Sequence, residues 1–122
     1  MARNILDEEH IHPAIRGAIA ASQSEIVNEV KQAIASNPIV VIGMAQNPFP
    51  RRARKALDAA GIQYRYLEYG SYLSDWRRRN ALKMWTGWPT FPMIFVRGVL
   101  IGGAADLERL KESGELSRLL AT

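Results

Sequence analysis

The side chains best placed to do chemistry in this 122-residue sequence are cationic. Arg51, Arg52, Arg54 and Lys55 crowd one stretch, and Arg77, Arg78, Arg79 and Lys83 crowd another. Between residues 51 and 83, nine Lys or Arg face only Asp58, Glu68 and Asp75, a local charge of +6 in a chain of formal net charge +4. Such a concentration draws anions, carboxylates and phosphates alike. Two well-solvated helix faces produce the same pattern, and composition alone favours that plainer reading. Cysteine is absent, which removes disulfides, thiolate metal ligands and thiol nucleophiles. His10 and His12 flank Ile11 near the chain start. A His-x-His pair needs further ligands to hold a metal, so no metal site is expected.

These residues must be positioned by one modest domain. Hydrophobic residues make up 48% and charged residues 23%, as in ordinary folded proteins. No apolar run approaches the roughly 20 residues of a membrane helix. The acidic start, with Asp7, Glu8 and Glu9, does not resemble a secretory signal. A cytoplasmic protein without membrane partners is therefore expected.

Residues 1–21 read as an N-terminal arm, polar to His12 and then helical over Pro13–Ala21, as a separate helix or an extension of the next. Residues 22–122 read as the main domain. Ser22-Gln23-Ser24-Glu25 has the pattern of a capping box. Ile26, Val27, Val30 and Ile34 then give one apolar helical face, which Asn37-Pro38 stops. Ile39-Val40-Val41-Ile42 is a short β-branched run suited to a strand buried on both faces. A basic helix follows from about Pro48 to Ala60, with Gly61 as its left-handed cap. Alternation over Ile62–Glu68 predicts a second strand. Ser71 or Ser74 opens the next helix, which carries Trp76, the arginines, Leu82 and Trp85 and ends at Thr86-Gly87. One of these two tryptophans is expected in the core and the other over the sheet edge, with Trp88 packed in a loop. Met93–Val96, the turn Arg97-Gly98 and Val99–Ile101 form a hairpin, and Gly102-Gly103 leads into the last helix. The order α-β-α-β-α-β-β-α predicts an α/β protein with a four-stranded mixed sheet flanked by helices.

Two stretches carry a family resemblance. Trp88-Pro89-Thr90-Phe91-Pro92, with Leu100-Ile101-Gly102-Gly103 after it, resembles the W-P-T-x-P and G-G signature of glutaredoxins, especially the monothiol branch. Asn47-Pro48-Phe49-Pro50 and the helix after it resemble their active-site turn, C-P-Y-C-x-x-A-x-x-x-L. The loop before it has the shorter, dithiol-like length. Order and spacing are kept over about residues 23–120. The resemblance implies a thioredoxin-like fold with an extra N-terminal helix and a cis bond between Phe91 and Pro92. It also implies that Asn47 and Pro50 occupy the two cysteine positions.

From the resemblance follow the candidate glutathione contacts. The backbone of Phe91 beside Pro92 would meet the cysteinyl part. Arg79, with Lys83 one turn on, would meet the glycyl carboxylate. Gly103 and Asp106 are the candidates for the γ-glutamyl end, although the family's acid aligns with Ala105, with Asp106 one residue late and pointing elsewhere on the helix, and its lysine aligns with Met44. Arg79 and one of Arg51 or Arg52 are expected on one concave surface beside Pro92. An amide is neither a nucleophile nor a thiolate ligand, so the catalytic position is degenerate. The expected function is a non-catalytic binding or regulatory module that retains some affinity for glutathione or a protein carboxyl terminus. The alternative by family analogy is a glutathione-dependent thiol–disulfide oxidoreductase or an iron–sulfur-related glutaredoxin. Nucleic acid is not expected as a partner, since no aromatic platform or docking motif accompanies Arg51–Lys55 and Arg77–Arg79.

Overall fold

The computed structural model describes residues 3–121. A 3-10 turn over Glu8–His10 precedes α1 (Pro13–Ala21) and α2 (Ser24–Ser36). The elements β1 (Ile39–Gly43), α3 (Pro48–Ala59), β2 (Arg65–Glu68), α4 (Trp76–Thr86), β3 (Met93–Val96) and β4 (Val99–Gly102) follow. The helices α5 (Ala104–Ser113) and α6 (Glu115–Ala121) close the chain. The sheet order is β2-β1-β3-β4. β1 runs parallel to β2 and antiparallel to β3, and β3 pairs antiparallel with β4, so the sheet is mixed as expected.

β1 is buried along its whole length because it is central and covered on both faces. Its alternate residues supply two cores. Val40 and Ile42 join Ile26 and Val30 of α2, Leu82 of α4, and Met93 and Phe95 of β3. Ile39 and Val41 join Ala53 and Leu57 of α3, Leu107 of α5 and Leu116 of α6. Thus α2 and α4 cover one face, and α3, α5 and α6 cover the other.

Four local expectations are corrected. The Ser22 capping box does not form: Ser22 ends α1, and Gln23 takes a left-handed φ of 52° that turns the chain into α2 without a side-chain cap. Pro13–Ala21 is therefore a separate helix. β2 begins at Arg65, since β1 offers it partners only from Val40 onward. Ile62 and Tyr64 pack against the core outside the ladder. Neither Ser71 nor Ser74 caps α4; Asp75, at φ 57°, precedes it, and the Ser71 N–H donates to Ser74 Oγ within its own turn. Trp85 stacks on Phe95 with centroids 6.1 Å apart, but Trp76 is exposed and covers no edge.

Candidate functional site

The site is built where the start of α3 meets the loop before β3. The Phe91–Pro92 bond is cis. Phe91 is buried beside Met44 and Leu82 on the α2/α4 face. Asn47 closes the gap between the two segments. Its Oδ1 accepts the Phe49 N–H at 3.0 Å, capping α3, and its Nδ2 donates to the Phe91 carbonyl at 3.4 Å. Asn is a favoured helix cap and Pro48 suits the first helical position, so the local sequence dictates this turn. Pro50 is buried. A Cβ added at Gly43 would lie 2.7 Å from the Pro50 Cβ, so this ring packs the helix start against the end of β1.

Around this centre the structure gathers some of the expected residues. The Lys83 ammonium lies 5.8 Å from the Phe91 ring centroid, and among the described residues it pairs with no carboxylate. Gly103 backs the proline, since a Cβ there would sit 3.5 Å from the Pro92 carbonyl oxygen. The same Cβ would lie 3.9 Å from Trp88 Nε1, a buried N–H with no partner among the described residues. Asp106 is near but committed. Its Oδ2 accepts the Gly103 N–H at 2.9 Å, and its Oδ1 pairs with Arg109.

Arg79 is held inside the fold. It is buried, and its Nη1 donates to the Tyr69 and Ser74 carbonyls at 2.9 and 2.5 Å. It holds the loop between β2 and α4 from behind. That loop abuts the site, because the Ala45 N–H donates to the Gly70 carbonyl and the Tyr69 N–H to the Gly43 carbonyl. Burial, and then a hydrogen bond to Glu29, push the Tyr69 phenol well above its usual range. Arg51 and Arg52 line a different depression with Lys55 and Glu108, and Arg52 is paired with Glu108. The expected shared concave surface of Arg79 with Arg51 or Arg52 is therefore not formed. Sequence reasoning missed the carbonyl-binding role of Arg79, which depends on a loop ten residues upstream. It also missed the amide bridge from Asn47, for which the only signal was an Asn-Pro pair at a helix start.

Three exposed ligand groups, of Asp7, Glu9 and His10, lie within 4.8 Å of one another on the arm. His12 instead accepts the Ala14 N–H and caps α1. Exposed acids gather this way without a metal.

The mixed sheet, the helix starting at Asn47 and the Phe91–Pro92 turn define a thioredoxin-like protein of the glutaredoxin type. The glutaredoxin family model matches residues 39–101. A glutaredoxin-like protein of Dictyostelium discoideum is 47% identical over 93 residues, covering 76% of each chain. Glutaredoxin 4 of Haemophilus influenzae is 34% identical over 102 residues, covering 80% of this chain and 92% of its own. The crystal structure of a buckwheat glutaredoxin–glutathione complex superposes with a TM-score of 0.72 at 29% identity, covering 82% of this chain and 91% of its own. The chain belongs to the glutaredoxin family, and its sequence contains no cysteine.

Proposed function

We propose that this chain is a non-catalytic glutaredoxin, a module that binds glutathione or a similar short peptide carboxylate beside Phe91–Pro92 without exchanging thiols. The observation that carries the reading is Asn47. At the helix start where the resemblance puts the thiolate, an amide caps α3 and spans to the Phe91 carbonyl. Disulfide exchange needs a thiolate to attack, and an amide cannot do so. Protein-held iron–sulfur clusters of this kind need a cysteine thiolate as well. What remains beside the proline is the backbone at Phe91 and the Lys83 ammonium, which pairs with no carboxylate among the described residues. The glutathione-bound buckwheat neighbour supports glutathione as the first ligand to try.

The test is a heteronuclear NMR titration with reduced glutathione. Saturable shifts are expected at Asn47, Phe91 and Gly103. Lys83→Ala should weaken binding several-fold, on the scale of about 1 kcal/mol for a partly exposed charge-assisted bond. Arg79→Met should act differently: it strands buried carbonyls, lowers stability by about 1–3 kcal/mol, and leaves the affinity of the folded protein unchanged. A titration without saturable shifts, or with shifts away from Phe91, would sink the proposal.

A further inference from the structure

A second cavity lies on the α2/α4 side, and it shares no lining residue with the Phe91–Pro92 site. It is formed by the end of α1, the first half of α2 and the outer side of α4, and encloses about 380 Å³. That volume falls within the range of small-molecule sites. Its floor is apolar: Ile19, Val27, Met84 and Trp85 line it. Met84 is 79% exposed and Ile19 is 49% exposed, although both are large and apolar. α1 itself contributes no buried residue to the core. Its last turn walls this space through Ile19 and Ala20.

The polar groups of the cavity are as informative. The Lys31 ammonium stands 5.9 Å from the Trp85 ring centroid, at the edge of the apolar floor. Among the described residues it pairs with no carboxylate, and the Asn28 side chain has no hydrogen-bond partner. No Asp or Glu lines the cavity. The site thus offers an apolar, partly aromatic wall with a single positive charge, an amide and the serines Ser22 and Ser24 beside it. The complementary guest has a compact apolar body and one negative charge.

We infer that the cavity between α1, α2 and α4 binds a small apolar carboxylate, with the hydrophobic body on Trp85 and Met84 and the carboxylate at Lys31. Most of its walls come from residues before Ile39, outside the segment that matches the family model. The site therefore draws mainly on this chain's N-terminal portion and shares no lining residue with the Phe91–Pro92 site.

The test uses two probes of one shape, 2-naphthylacetate and its neutral amide, titrated into the full chain and followed by NMR. The carboxylate should give saturable shifts at Asn28, Lys31 and the Trp85 indole. The amide should bind at least about threefold more weakly, as expected for an exposed charge pair. Lys31→Met should erase that difference while the spectrum stays folded. Ala20→Phe, at an exposed lining position, should block both probes. Absence of saturable shifts, equal binding of acid and amide by the unaltered chain, or shifts confined to Phe91 and Gly103 would overturn the inference. So would a dimer in sedimentation that Ala20→Phe dissociates, since a second copy would then be the occupant.

Discussion

An amide at position 47 makes two bonds at once, and this decides what the site can be. Its oxygen takes the Phe49 N–H and its nitrogen reaches the Phe91 carbonyl. Losing such a cap costs about 1 kcal/mol, so Asn47 serves the stability of α3 whatever else binds nearby. Asn47→Cys converts the position back to a nucleophile and exposes what the helix start can do for an anion. The Phe49 N–H, freed from the amide, would donate to a thiolate. Arg51 stands in the first turn without a carboxylate partner among the described residues, whereas Arg52 is already tied to Glu108. Pro48 and Pro50 offer no N–H, so the effect will be smaller than at a fully donating helix start. The alkylation rate of the variant by iodoacetamide, measured against pH, should show a thiol pKa below the free value of about 8.5. Glutathione-coupled disulfide reduction should appear in the variant and be absent from the unaltered chain. A midpoint at or above 8.5 would show that this helix start does not favour negative charge.

At the scale of elements, β2 shows how a short edge strand is pinned. Tyr66 lies with its ring 4.0 Å from the Arg54 guanidinium carbon, and its hydroxyl donates to Glu68 at 2.9 Å. Burial first, and then the Glu68 bond and charge, push its phenol up to about 12 from an ordinary 10. The folded state therefore holds this proton more tightly than the unfolded chain does. Its contribution is fully present below pH 10 and is lost as pH rises toward 12. Urea midpoints should be flat with respect to this group up to about pH 10 and fall above it, and Tyr66→Phe should reduce that fall. Tyr69, raised for similar reasons, accounts for a further part. An equal fall in the variant would show that Tyr66 is not held this way. The sequence made β1 and β3 legible through their apolar runs, and α3 through Asn47-Pro48 at one end and Gly61 at the other. It did not show that β2 starts only at Arg65, because the strand's length is set by its partner. Nor did it show the left-handed residues Gln23 and Asp75 before α2 and α4, where serines read as the natural caps. Of the candidate site, the Phe91–Pro92 turn was legible from its motif. The fate of Arg79 was not, since two carbonyls of the irregular loop before α4, those of Tyr69 and Ser74, claim its guanidinium.

For the whole molecule the question is whether the +6 stretch makes one electrostatic surface. The fold divides it. The cations of α3 stand on the face shared with α5 and α6, and those of α4 stand on the opposite face with α2. Several are also spent internally. Arg52 pairs with Glu108, Arg78 with Glu29 and Asp75, Arg54 lies over Tyr66, and Arg79 is buried on carbonyls. The exposed Trp76, with Arg77 5.2 Å from its ring centroid, is an aromatic surface of a kind the sequence did not promise. One ring beside one arginine is still not a track for a phosphate backbone, which requires cations aligned along a single groove. Binding to nucleic acid scales with the number of phosphates neutralised together, so a charge split across two faces yields few contacts at a time. Fluorescence anisotropy with a random duplex should therefore show no saturable binding at about 150 mM salt. At low salt, any association should weaken with a shallow dependence on salt concentration, far from the steep slope of a protein that covers six or more phosphates. A steep slope would mean that the two faces act as one surface on the nucleic acid. In that case Arg51→Ala and Arg77→Ala would each flatten the slope, and the charge of residues 51–83 would have to be read as a binding footprint rather than as the solvated and internally paired surface of two helices.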